Sequence, residues 1–181
     1  MKKSILLVLV TFLFFNKSHG QITSDNWMVG GSGEFHKQRE DLQGSDIRGL
    51  VVSASPGIGY FIIDKLGAGI KVDFIYNRIT VSGNASNSTV LSIGPFVRYY
   101  FLPTENRINI FSEAAYQYGI DFHNHFENNF SFAAGPVFFF NSSVGLELAA
   151  KYSTLNNTAS SISAKTIFVT VGFQIHLEKI R

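Results

Sequence analysis

From Trp27 to Leu177 the dominant period of the chain is two, and no stretch offers an apolar face at helical spacing. Between Leu50 and Phe61, the larger apolar set Leu50, Val52, Ala54, Pro56, Ile58 and Tyr60 alternates with Val51, Ser53, Ser55, Gly57, Gly59 and Phe61. The pattern continues from Gly67 to Asn77, where Ala68, Ile70, Val72, Phe74 and Tyr76 oppose Lys71, Asp73, Ile75 and Asn77. It recurs in Thr89 to Phe101, Ile108 to Gly119, Phe130 to Phe140, Val144 to Ser153 and Lys165 to Leu177, after a glycine-rich first strand from Trp27 to Phe35. Eight strands are predicted. Their connections alternate in length. His36 to Asp46, Asn77 to Ser88, Ile120 to Asn129 and Thr154 to Ala164 are long, polar and rich in Asn, Ser and Asp; Ile62 to Leu66, Leu102 to Arg107 and Asn141 to Ser143 are short. Long loops at one end and tight turns at the other predict an all-β, eight-stranded antiparallel up-and-down transmembrane barrel, with the four long loops external and the tight turns periplasmic.

An internal echo supports this layout. Ser55-Pro56-Gly57, Gly94-Pro95-Phe96 and Gly135-Pro136-Val137 hold matching places in the second, fourth and sixth strands, and Gly172-Phe173 holds that place in the eighth. The repeating unit is one hairpin of about 40 residues. Proline removes a ladder donor and in a paired strand normally marks an edge or a bulge, so Pro56, Pro95 and Pro136 are read as bulge positions.

Alternation serves a secreted barrel with an apolar core as well as a membrane barrel with an apolar coat, and the composition of the two faces separates them. From the second strand to the eighth, only Thr89, Ser112 and Lys165 interrupt the apolar face, and Lys165 lies at a strand end, where its head can snorkel to the interface. The opposite face is rich in glycine. Its ions are Lys71, Asp73, Arg98, Glu113, Glu147 and Lys151, balanced in sign, with Glu34 a seventh near the long-loop end. A water-facing exterior carries far more charge than that, so the sparse face is assigned to a packed lumen and the apolar face to outer-membrane lipid. The aromatic residues of the apolar face sort into two belts, as membrane girdles do. Trp27, Tyr60, Tyr99, Phe101, Phe138, Phe140 and Phe173 fall near the short turns; Phe35, Phe74, Tyr76, Tyr116, Tyr118, Phe130, Phe132 and Tyr152 fall toward the long loops.

Composition agrees with this picture and narrows the chemistry. Of 181 residues only 15% are charged against 45% hydrophobic, and there is no cysteine. Disulfide scaffolds, thiolate metal sites, cysteine nucleophiles and lipoprotein anchoring are excluded together. Met1 to Gly20 reads as a signal peptide: Lys2 and Lys3 form the basic region, Ile5 to Phe15 an apolar stretch too short to span, and Ser18-His19-Gly20 the cleavage site. Residues 21 to 181 are then the barrel domain. Losing Lys2, Lys3 and Lys17 takes the formal net charge from +2 to −1, and no polybasic patch remains to bind nucleic acid.

The residues resemble the small outer-membrane barrels of the OmpA transmembrane-domain and OmpX type, in the form common among Bacteroidetes. The resemblance covers Trp27 to Leu177 and rests on three segments. They are Val29-Gly30-Gly31-Ser32-Gly33, Gly57-Ile58-Gly59-Tyr60-Phe61 and the last strand, Val171-Gly172-Phe173-Gln174-Ile175-His176-Leu177. The last of these is similar to the signal read by the barrel-assembly machinery of Gram-negative bacteria, although Glu178-Lys179-Ile180-Arg181 follow where such chains usually end on an aromatic residue. The resemblance implies a monomeric, multi-pass outer-membrane protein. It does not imply an activity.

Three kinds of chemistry are weighed. The lumen ions are expected to pair and plug the barrel, with Arg98 diagonally across from Glu113, and with Lys71 and Asp73 two apart on one face. The alternative is a narrow, porin-like solute path. Asp121-Phe122-His123-Asn124-His125-Phe126-Glu127 carries metal-capable donors in a long loop, but two solvated histidines are ordinarily surface polarity, and neither metal nor cofactor is expected. Some eight-stranded barrels modify lipid A, and the deacylase type uses a His-x-Ser pair; no histidine here has Ser two residues later, and His176 is followed by Leu177 and Glu178. The chain is therefore read as non-enzymatic. The sequons at Asn84, Asn87, Asn141 and Asn156 are read as turn formers. The expected role is structural or cell-surface interaction, with an extracellular partner met through the long loops.

Overall fold

The computed structural model describes residues 22–42, 45–121, 126–157 and 162–177. They form eight strands: β1 (Trp27–Leu42), β2 (Ser45–Ile63), β3 (Leu66–Val81), β4 (Asn84–Tyr100), β5 (Ile108–Asp121), β6 (Phe126–Phe139), β7 (Val144–Asn157) and β8 (Ile162–Leu177). Each pairs antiparallel with the next, and β8 returns to β1 to close the barrel. The period-two pattern dictates the orientation throughout. In β4, Leu91, Ile93, Val97 and Tyr99 project outward while Val90, Ser92, Phe96, Arg98 and Tyr100 are buried inside. Met1 to Gly20, read above as a signal peptide, His123, His125 and the last four residues lie outside the described residues.

The strands run further than the hydrophobic pattern does. His36 to Asp46 and Asn77 to Ser88, expected as loops, are for the most part paired strand: β1 reaches Leu42 opposite Ser45, and β3 reaches Val81 opposite Asn84. Likewise β5 and β6 take up Ile120, Asp121 and Phe126 to Asn129, and β7 and β8 take up Thr154 to Asn157 and Ile162 to Ala164. The physical reason is that a backbone ladder needs no apolar face, so pairing continues where the outward set turns polar, as at Arg78 and Thr80, and the earlier alternation is lost. At the tip of the β3–β4 hairpin, Ser82 and Gly83 have φ of 48° and 90°. Positive φ at both central residues is the two-residue turn that matches strand twist.

The prolines are not bulges. Pro56, Pro95 and Pro136 keep their partners Gly31, Ile70 and Ile110 on the preceding strand. On the other side the ladder lapses for two positions in each case and resumes in unchanged register. A missing N–H deletes a rung without inserting a residue, so the strand neither slips nor flips its faces. At Gly94 and Gly135, each preceding one of these prolines, the neighbouring backbone closes in. A Cβ there would lie 1.9 Å from the Tyr116 carbonyl oxygen and 2.0 Å from that of Leu148. Glycine is the residue that permits such an approach.

Candidate functional site

The interior is stacked in three levels. At the short-turn end, Ile22, Met28, Phe61, Tyr100, Phe111, Val137 and Phe139 form an apolar plug. The segment before β1 builds part of it. Asp25 N–H donates to the Phe61 carbonyl (3.1 Å), Phe61 N–H to the Asn26 carbonyl (2.9 Å) and Lys65 N–H to the Ile22 carbonyl (3.0 Å), which lays Ile22 across the barrel end. Tyr60 Oη donates to Asp25 Oδ1 at 2.5 Å from the outside. His176 is fully buried here, edge-on to Phe61 at 5.3 Å between centroids and 3.4 Å from Tyr100 Oη. Asn109, also fully buried, ties down the adjacent turn: its side chain accepts from Leu102 N–H (2.9 Å) and donates to the Leu102 carbonyl (3.1 Å).

Above the plug lies a layer of ions. Arg98 stands directly opposite Glu113 in the β4–β5 register, not diagonal to it. The turn closes through Phe101 N–H and the Ile110 carbonyl (2.9 Å), and that closure sets the register. Arg98 Nε and Nη2 reach Glu113 Oε2 at 2.9 and 2.7 Å. The same guanidinium spans the lumen to Glu147, where Nη1 donates to Oε1 and Nη2 to Oε2 at 3.2 Å. Lys71 Nζ pairs with the free oxygen of Glu113. Its strand neighbour Asp73 turns instead to Lys151, 3.7 Å away. Each cation also faces a ring: Arg98 Cζ lies 4.4 Å from the Phe111 centroid, Lys71 Nζ 5.2 Å from Phe96 and Lys151 Nζ 5.8 Å from Phe168. Two cations and two carboxylates thus sum to zero in a chain of contacts from β3 to β7. Burial of this kind is tolerable only when every partner is present. The space left at this level is about 20 Å³, on the order of one water.

The third level is a cavity of about 400 Å³ toward the long-loop end. Its floor carries Ser55, Asp73 and Lys151; its walls carry Glu34, Val51, Ser53, Ile75, Leu155 and Phe168. Glu34 accepts from Ser53 Oγ at 3.3 Å. The plug, the strap at Ile22 and this cavity are absent from the sequence reading. Period two does place Asn109, Tyr100 and His176 inside, but no local signal says that they meet.

Outside, the barrel is coated with exposed apolar side chains. Trp27 lies edge-on to Tyr60 at 5.3 Å and Tyr99 to Phe101 at 5.1 Å near the short turns. Phe138, Phe140 and Phe173 share that end; Phe35, Phe74, Tyr76, Tyr116, Tyr118, Phe130, Phe132 and Tyr152 project outward toward the other.

No family model matches this sequence, and no curated protein sequence does. In three dimensions the chain is similar to the outer membrane protein OprG from Pseudomonas aeruginosa, at 12% identity and a TM-score of 0.59 over 91% of this chain and 100% of that one. It is also similar to Neisserial surface protein A, at 15% identity and a TM-score of 0.52 over 83% of this chain and 96% of that one. At such identities the likeness is one of fold: this is a small barrel of the outer-membrane type.

Proposed function

We propose that the chain is an integral outer-membrane protein of the OmpA transmembrane-domain and OmpX type, a monomer delivered by the barrel-assembly machinery, whose barrel is a closed anchor and whose long-end hairpins meet extracellular partners. The apolar coat supports insertion in lipid, since a water-soluble barrel would leave far too much apolar surface in contact with water. The observation that supports the closed-anchor reading is the Lys71–Glu113–Arg98–Glu147 layer over the aromatic plug, where the space left among the described residues is about 20 Å³. A non-catalytic role is favoured by the burial of His176 among Phe61, Tyr100 and Phe139, out of reach of lipid A.

Planar-bilayer recording of the refolded chain tests this. No steady conductance above the lipid baseline is expected from the native sequence. An ohmic conductance that scales with salt would replace the anchor by the narrow-channel reading. An altered lipid A mass spectrum on deletion of the gene would replace it by a lipid-modifying enzyme.

A further inference from the structure

The ladder between β1 and β8 is the shortest in the barrel among the described residues. It runs from Trp27 opposite Leu177 only to Gly33 opposite Val171, whereas β1 continues with β2 to Leu42 and β8 with β7 to Ile162. No ladder pair joins the two strands beyond that point. The seam is also where the described apolar side chains are barest: Ile167, Phe35 and Val169, at 76, 72 and 63% exposure, exceed the other large apolar residues whose exposure is described. Directly behind it lies the upper cavity, with Glu34 and His36 contributed by β1 and Thr166 and Phe168 by β8. A volume of about 400 Å³ falls within the range of small-molecule sites.

The floor of the cavity states what such a molecule must carry. Asp73 is 2% exposed, yet its Oδ1 has no hydrogen-bond partner among the described residues. Lys151 stands 3.7 Å from its other oxygen, beyond a hydrogen bond. With Glu34 on the wall, two carboxylates face one ammonium, so the cavity favours a cationic donor and repels an anion. Val51, Ile75, Leu155 and Phe168 give the cavity an apolar lining, Phe168 from the seam strand β8 itself. We infer that the cavity binds a single-chain cationic amphiphile, its amine held by Asp73 and Glu34 and its tail leaving between β1 and β8 into the surrounding lipid. The lipid-facing exit rests on the membrane reading above; the head-group site does not.

Calorimetric titration of the full chain refolded in a non-ionic detergent tests this, with decylammonium, decanol and decanoate as matched probes. Decylammonium is expected to saturate and to bind about tenfold or more tighter than either of the others, since an unmet buried acceptor discriminates on that scale. Asp73→Asn should remove this preference while leaving decanol unchanged, and Glu34→Gln gives the same readout if Asp73→Asn fails to refold. Filling the cavity by Ser153→Trp should abolish saturable binding of all three. Decane-1,10-diammonium, whose second charge would be dragged into the apolar phase, should bind about tenfold more weakly than decylammonium. Equal affinity for the three matched probes, no saturable binding, or a preference that survives both carboxylate substitutions would overturn the site. Equal binding of the diammonium would overturn the lateral exit. Because binding is read in detergent, its failure leaves the non-conducting barrel standing, and a conducting barrel that still prefers decylammonium leaves the site standing.

Discussion

Arg98 reaches glutamates on two other strands at once, and that single side chain ties β4 to β5 and to β7. Its consequence is asymmetric. Glu113→Ala strands Lys71 and leaves Arg98 with Glu147 as its remaining carboxylate, and should lower unfolding free energy in detergent by about 3 to 5 kcal/mol, as removal of one partner from a buried ion cluster does. Arg98→Ala with Glu113→Ala should cost less than the sum of the two, with a coupling of about 1 to 3 kcal/mol; additive losses would show that the contact carries no energy. The glycines make a second residue-level claim. Gly94→Ala should destabilise by about 1 to 3 kcal/mol through overpacking against the Tyr116 carbonyl, while Gly33→Ala, whose added methyl would find its nearest atom at 3.7 Å, should change little. Equal urea midpoints for the two variants would remove the close approach from the account. That Arg98, Glu113 and Glu147 point inward is legible in the alternation. Which of them meet is not, because partnership depends on turn register and on a closure that brings residues far apart in sequence across one lumen.

At the scale of elements, the number of strands, their order and their antiparallel sense follow from a period-two pattern broken by turn formers. Their ends do not, since hydrophobic alternation reports only the part of a ladder with one apolar face and loses its phase beyond it, as at Arg78 to Val81. Thr80 and Val81 and their partners Ala85 and Asn84 are strand because Ser82 and Gly83 make a tight turn, not because they alternate. The proline repeat is legible as a repeat, but its local geometry is not, since sequence cannot distinguish a lost rung from an added residue. The strap before β1 has no local signal, since Ile22 precedes the alternation. It is nonetheless fully buried against the plug, and Ile22→Ala should cost about 2 to 5 kcal/mol in a denaturant titration. A loss within the error of the midpoint would mean that the plug closes without it.

Above its apolar plug the barrel turns its apolar residues outward and encloses an ion layer, the reverse of a soluble barrel, and this inversion explains the composition. Few charges are needed when the polar face encloses a narrow, glycine-lined lumen, and an apolar coat can be assembled from every second residue without a long apolar run. The chain carries a single tryptophan, Trp27, which stands on the outer face at the short-turn end, edge-on to Tyr60 and 46% exposed. Its fluorescence therefore reports directly on what covers that face. In bilayers of brominated phospholipids, bromine placed high on the acyl chain should quench Trp27 strongly and bromine near the chain end less, while aqueous iodide leaves it bright. Quenching by iodide with no response to brominated lipid would place this surface in water and contradict the inverted barrel.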